Sequence, residues 1–68
     1  MNILMIKIAP EIDWCYVTKI HKSNLSLGKD ISMALDASNY SEAQKKVNEY
    51  YMTGRCEYKP ELKTVLLN

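Results

Sequence analysis

The chain has 68 residues, with 9 basic and 8 acidic side chains and a formal net charge of +1. That length implies one domain over residues 1–68, and its element pattern makes it α+β. Chains this short bury only ~60% of their unfolded surface, so stability is marginal and oligomerisation is a natural remedy. The near-neutral balance gives no electrostatic case for wrapping duplex DNA or for mimicking a nucleic acid.

The amino terminus, MNILMIKIAP, has an apolar run, but no basic segment precedes it and Lys7 interrupts it, unlike a signal peptide. No stretch approaches the ~20 apolar residues of a membrane span. The expectation is a cytoplasmic protein with no membrane partner, in which Cys15 and Cys56 remain reduced thiols.

Residues 3–8 read as a first strand with apolar groups on both faces, Leu4, Ile6 and Ile8 in one row and Ile3, Met5 and Lys7 in the other. Pro10 and Glu11 make the next turn, because proline cannot continue a central ladder. Residues 12–21 predict a second strand, with Trp14, Tyr16 and Ile20 on one face and Cys15, Val17 and Lys19 on the other. The short link favours an antiparallel hairpin. Ser23, Asn24, Gly28 and Asp30 are turn formers, with Leu25 and Leu27 between them suggesting a brief extended piece.

Ile31, Met33 and Leu35 alternate with Ser32, Ala34 and Asp36, the period-two pattern of a third strand. The period then lengthens. Tyr40, Ala43, Val47, Tyr50 and Tyr51 fall on one stripe of a helix, opposite Glu42, Lys45, Lys46, Asn48 and Glu49. Asn39 is the best N-cap, with Glu42 placed to close a capping box, and Gly54 ends the helix. Residues 62–67 predict a last strand, whose apolar end argues that it is pinned into the sheet or a partner. The architecture expected is a small, mostly antiparallel sheet in the order βββαβ with one helix across one face. A right-handed crossover follows if the strands flanking the helix run parallel. The second apolar face, assigned to Ile3, Met5, Cys15 and Val17, then needs a cover, which a homodimer or a foreign protein supplies.

Motifs for chemistry are sparse. His21 is the only histidine; Asp13 and Cys15 lie eight and six residues away on its strand, and eight strand residues span about 26 Å, which excludes direct contact. Cys15, Cys56 and His21 are too few and scattered for a structural zinc site, and neither Gly28 nor Gly54 belongs to a phosphate-binding loop. Arg55 beside Cys56 is weak support for a reactive thiolate. No cofactor, metal or catalytic residue is expected. Two binding sets remain. Tyr51, Met52, Arg55 and Tyr58 are residue types enriched at protein interfaces, clustered near the helix end. Lys19, Lys22 and Lys29, around the turn after the second strand, with Arg55 and Lys59 after the helix, form the alternative, an RNA- or DNA-binding set.

Arg55 is the sole arginine, while Lys, Ile, Asn and Tyr are plentiful, a usage we read as the coding bias of an A/T-rich genome. In size, composition and sheet-plus-helix outline the chain resembles the small proteins that phages deploy against host defences, anti-CRISPR inhibitors and antitoxin-like proteins among them. The resemblance covers the whole chain in outline, and no diagnostic motif carries a residue across. The small size, the missing catalytic constellation and the two-faced apolar strands give the expectation of a non-enzymatic inhibitor or regulator that binds another protein, as a homodimer; the resemblance implies a phage-encoded one acting in the host cytoplasm.

Overall fold

The computed structural model describes residues 1–54 and 57–67. Four strands, β1 (Asn2–Lys7), β2 (Cys15–Ile20), β3 (Leu25–Gly28) and β4 (Glu61–Leu66), form one sheet in the order β3-β2-β1-β4, every neighbouring pair antiparallel. One helix, α1 (Tyr40–Met52), separates β3 from β4 in sequence. The α+β class and the βββαβ succession are as expected. The third strand, however, is the brief extended piece around Leu25 and Leu27. Because β3 and β4 lie on opposite edges and run antiparallel, the helix connection is not a parallel crossover.

Residues 31–36 do not form the predicted strand. Ile31–Met33 is a 3-10 turn capped by Asp30, whose Oδ1 accepts from Ser32 N at 3.0 Å and from Ser32 Oγ at 2.7 Å. Met33 N and Ala34 N then donate back to the carbonyls of Asp30 and Ile31. A short polar side chain offers the backbone a local alternative to a ladder, and here the local bonds prevail over alternation. Ile31 and Met33 end up 45% and 61% exposed; of the three alternating residues only Leu35 packs against the core.

Leu35 enters the sheet. Its N–H donates to the Val17 carbonyl and its C=O accepts from Leu4 N–H, both at 2.9 Å, and Asp36 bridges Ile3. β1 and β2 are paired only where Met5 faces Tyr16 and Ile6 faces Cys15. Beyond those pairs, Leu35 supplies one bond to each strand. The link between them occupies residues 8–14, so β2 begins later than the sequence pattern indicates.

A second 3-10 turn, Ala37–Asn39, leads into α1. Asn39 occupies the expected N-cap position but its side chain makes no capping bond. The cap lies further upstream, where Asp36 Oδ1 accepts from Ser38 N at 3.0 Å, from Ser38 Oγ, and from Asn39 Nδ2 at 3.3 Å. Glu42 sits in the first turn, where its charge suits the helix dipole. At the other end Thr53 N and Oγ1 both donate to the Glu49 carbonyl, and Gly54 takes the left-handed conformation (φ 73°) that ends the helix.

The core lies between α1 and one face of the sheet. Leu4, Ile6, Val17, Ala43 and Val47 are buried together, with Cys15, Ile20, Leu25, Leu27, Leu35 and Leu62 packed against them. This corrects the expected faces. The register sets Cys15 beside Ile6, so Cys15 and Val17 belong to the helix side, and Ile3 and Met5 share the far side with Tyr16. A bulge at Thr18 corrects Ile20 too: Val17 faces Leu27 and Lys19 faces Ser26, so Val17 and Ile20 both reach the core while Lys19 turns away. On the helix, Ala43 and Val47 are fully buried and Tyr50 half-buried, but Tyr40 and Tyr51 are exposed.

Two outcomes follow. Leu4→Ala removes a fully buried side chain and should cost about 3 kcal/mol, whereas Leu66→Ala at an exposed position should cost under about 0.5 kcal/mol; urea denaturation measures both. The hydrogen bonds from Ser38 hold the Asp36 carboxyl below its ordinary value of 3.8. A depressed carboxyl contributes stability that is present above the unfolded pKa and is lost as pH falls through the folded one. Asp36→Ala should therefore lower Tm at pH 7, and the gap from wild type should close on acidification below about 3.8.

Candidate functional site

The predicted protein-binding residues separate on the structure. Tyr51 and Met52 end α1 and are 46% and 82% exposed. Lys59 joins them, its Nζ 5.8 Å from the Tyr51 ring centroid, and a shallow groove runs between Asn48, Tyr51, Met52 and Lys59. Tyr58, the preceding residue, is turned elsewhere: it is half-buried and, with its neighbour Glu57, shares a depression with Ile8, Ala9, Pro10 and Glu11 on the β1–β2 link. Removal from water raises its phenol above the ordinary value of 10.0, and its hydrogen bond to the Glu61 carboxylate and that group's charge act in the same sense. Arg55 lies outside the described residues, as does Cys56.

The predicted nucleic-acid set does not form one cluster. Lys22 is in the turn joining β2 to β3, but β3 carries the chain away, and Lys29 follows its far end. There Lys29 Nζ donates to the Trp14 carbonyl at 3.1 Å, tying β3's end to the start of β2. Lys19 projects from the sheet's far face, and Lys59 belongs to the Tyr51 group. What meets Lys22 is the helix: Lys46 Nζ donates to the Lys22 carbonyl, and Tyr50 OH donates to the Ser23 carbonyl at 2.7 Å. Lys46 also lies 3.6 Å from Glu49 Oε2. These contacts dock the second half of α1 onto the turn. Tyr50 is thus a structural residue, as its place on the stripe implies.

A second surface is the apolar sheet face expected from the sequence, of which Ile3 and Met5 keep their place and Cys15 and Val17 do not. The sheet face away from α1 carries Ile3, Met5 and Lys7 on β1, Tyr16 on β2, and Glu61, Lys63 and Val65 on β4. Ile3 is buried, while Met5, Tyr16 and Val65 are half-buried. Trp14, the only tryptophan, has Lys63 Nζ 4.1 Å from its ring centroid, a cation–π contact from β4 to the residue preceding β2. The far face is therefore an aromatic and aliphatic centre edged by Lys7, Lys19 and Lys63, with Glu61 beside Lys7. The available signal was strand parity, which needed the register to become a face.

His21 is half-buried, with Nε2 at 2.6 Å from Ser26 Oγ. This pair braces the β2–β3 hairpin together with the bond from His21 N to the Asn24 carbonyl. Among the described residues no group of three or more His, Cys, Asp or Glu is placed to hold a metal ion, and no helix is long and apolar enough to cross a membrane. Comparison with protein-family models, with curated proteins and with solved structures finds no match to this chain.

Proposed function

We propose that this protein acts by binding another protein, which it blocks or regulates, and not by catalysing a reaction. The observation that carries this reading is the helix-end group: Met52 is 82% exposed beside the exposed ring of Tyr51, on a helix terminus flanked by Lys59. Tyrosine and methionine are enriched where proteins meet, and an aromatic anchor held by a helix loses little freedom on binding. The outline resemblance to phage proteins directed against host defences supports a host protein as target, with the host cytoplasm as the place of action. The small core supports a homodimer. In affinity capture from a bacterial host lysate, one protein should be retained stoichiometrically. Tyr51→Ala combined with Met52→Asp should weaken that binding at least tenfold without altering the circular dichroism spectrum. Equal retention by wild type and variant, or recovery of nucleic acid alone, rejects this function.

The far face favours a second reading, a binder of single-stranded nucleic acid. Tyr16 provides a ring for base stacking, and Lys7, Lys19 and Lys63 project from the same face as candidate phosphate contacts. The cations thereby differ from those expected around the β2–β3 turn, Lys19 excepted. Three phosphate contacts on a single strand correspond to a slope of about −2 in log K against log salt. Binding to an oligonucleotide should show that slope and should be abolished by Lys63→Glu; no binding at low salt rules the reading out.

A further inference from the structure

The free edge of β4 carries an inference that rests on the dimeric reading above and names its interface. Met1 N donates to the Leu67 carbonyl and Leu67 N to the Met1 carbonyl, so those two residues form a hydrogen-bonded antiparallel pair. Such pairs alternate along a ladder. Ile3 with Val65, Met5 with Lys63 and Lys7 with Glu61 are therefore bonded across the β1–β4 seam, while Leu62, Thr64 and Leu66 aim their N–H and C=O groups outward. The bond from Leu4 N to the Leu35 carbonyl, on the opposite flank of β1, confirms the phase. Among the described residues β4 is the last strand of the sheet on that flank.

Exposed edges are commonly guarded by a bulge, a proline or an outward lysine. No proline interrupts Glu61–Leu66, its pairing with β1 is regular throughout, and Lys63 leans inward over β1 to stack on Trp14. The opposite edge, β3, has four residues against six in β4. Leu66, on the helix side of the edge, is 63% exposed.

We infer that β4 pairs antiparallel with β4 of a second copy, joining two sheets across a two-fold axis at Thr64. A second copy is the occupant because the edge complements itself. One register satisfies all three outward-facing residues: Thr64 opposite Thr64 of the copy, and Leu62 opposite Leu66 in both directions. It makes about six backbone hydrogen bonds. Threonine pairs and apolar pairs are favourable across strands. On the far face the same register sets Lys63 opposite Val65 and Glu61 opposite Leu67, so no like charges meet directly. The exposed Leu66 gains an apolar neighbour from the copy.

An edge-to-edge contact of this length is small, so association depends on concentration. Sedimentation equilibrium from about 10 μM to about 1 mM should show the 7.9 kDa chain moving to twice that mass. Thr64→Pro removes only an outward N–H, a substitution edge strands accept. It should weaken self-association at least tenfold while the folded spectrum persists, and Leu66→Lys should do the same should the proline variant fail to fold. Thr64→Cys should cross-link into a covalent dimer under mild oxidation where wild type does not. A chain that stays monomeric at the highest concentration overturns both the dimer and this interface. A dimer indifferent to Thr64→Pro and Leu66→Lys, with no cross-link through Thr64→Cys, overturns the interface alone.

Discussion

The structure depends on a single residue's backbone. Leu35 donates to Val17 and accepts from Leu4, and so stands between two strands that are otherwise paired only at Met5–Tyr16 and Ile6–Cys15. Those two bonds connect the chain leaving β3 with the centre of the sheet. Asp36, the next residue, bridges Ile3 and caps the turn that leads into α1. Anchoring and helix initiation are thereby consecutive: the residue after the clasp is the residue that orients the helix. The Leu35 side chain packs against the core that the helix closes, so backbone and side chain act to the same end.

That core is narrow. Ala43 and Val47 are the only fully buried residues of α1, and a small residue at 43 allows the helix to approach Leu4, Ile6 and Val17 closely. Placing Val17 and Ile20 on one side demands the bulge at Thr18, since a regular strand sends positions three apart to opposite faces. The docking of Lys46 and Tyr50 onto carbonyls of the β2–β3 turn adds polar contacts outside the apolar centre. They fix the second half of the helix and leave its last turn, with Tyr51 and Met52, to face solvent.

The surfaces that remain available follow from this arrangement. With one helix spent on one face, the far face retains a partly covered apolar centre, and the Trp14–Lys63 contact spans the strands there in place of a second layer. The helix-end group and the far face lie on different elements, so a protein partner and a nucleic acid would address different residues. The β4 edge is distinct from both in kind. Its recognition rests on backbone groups, and the side chains of Leu62, Thr64 and Leu66 determine only the register.

The sequence alone determined the class, the strand–helix succession and the helix itself. Ala43 and Val47 repeat at helical spacing and Gly54 stops the helix by a purely local preference. β1 was legible because its apolar run is short and interrupted by few alternatives. The faces, the third strand and the sites were not legible, for one reason. Each depends on which residues stand opposite one another, and register is a relation between segments distant in the chain. Ile31, Met33 and Leu35 have a strand's alternation, yet Asp30 and Ser32 bond locally and only Leu35 meets the sheet. Cys15 and Val17 changed faces because Ile6 sits beside Cys15; Lys29 left the basic group because β3 intervenes. Tertiary structure alone brought Trp14 to Lys63 and Lys59 to Tyr51 and set Tyr58 apart, since side chains meet through the packing of strands and helix and not through their spacing in sequence.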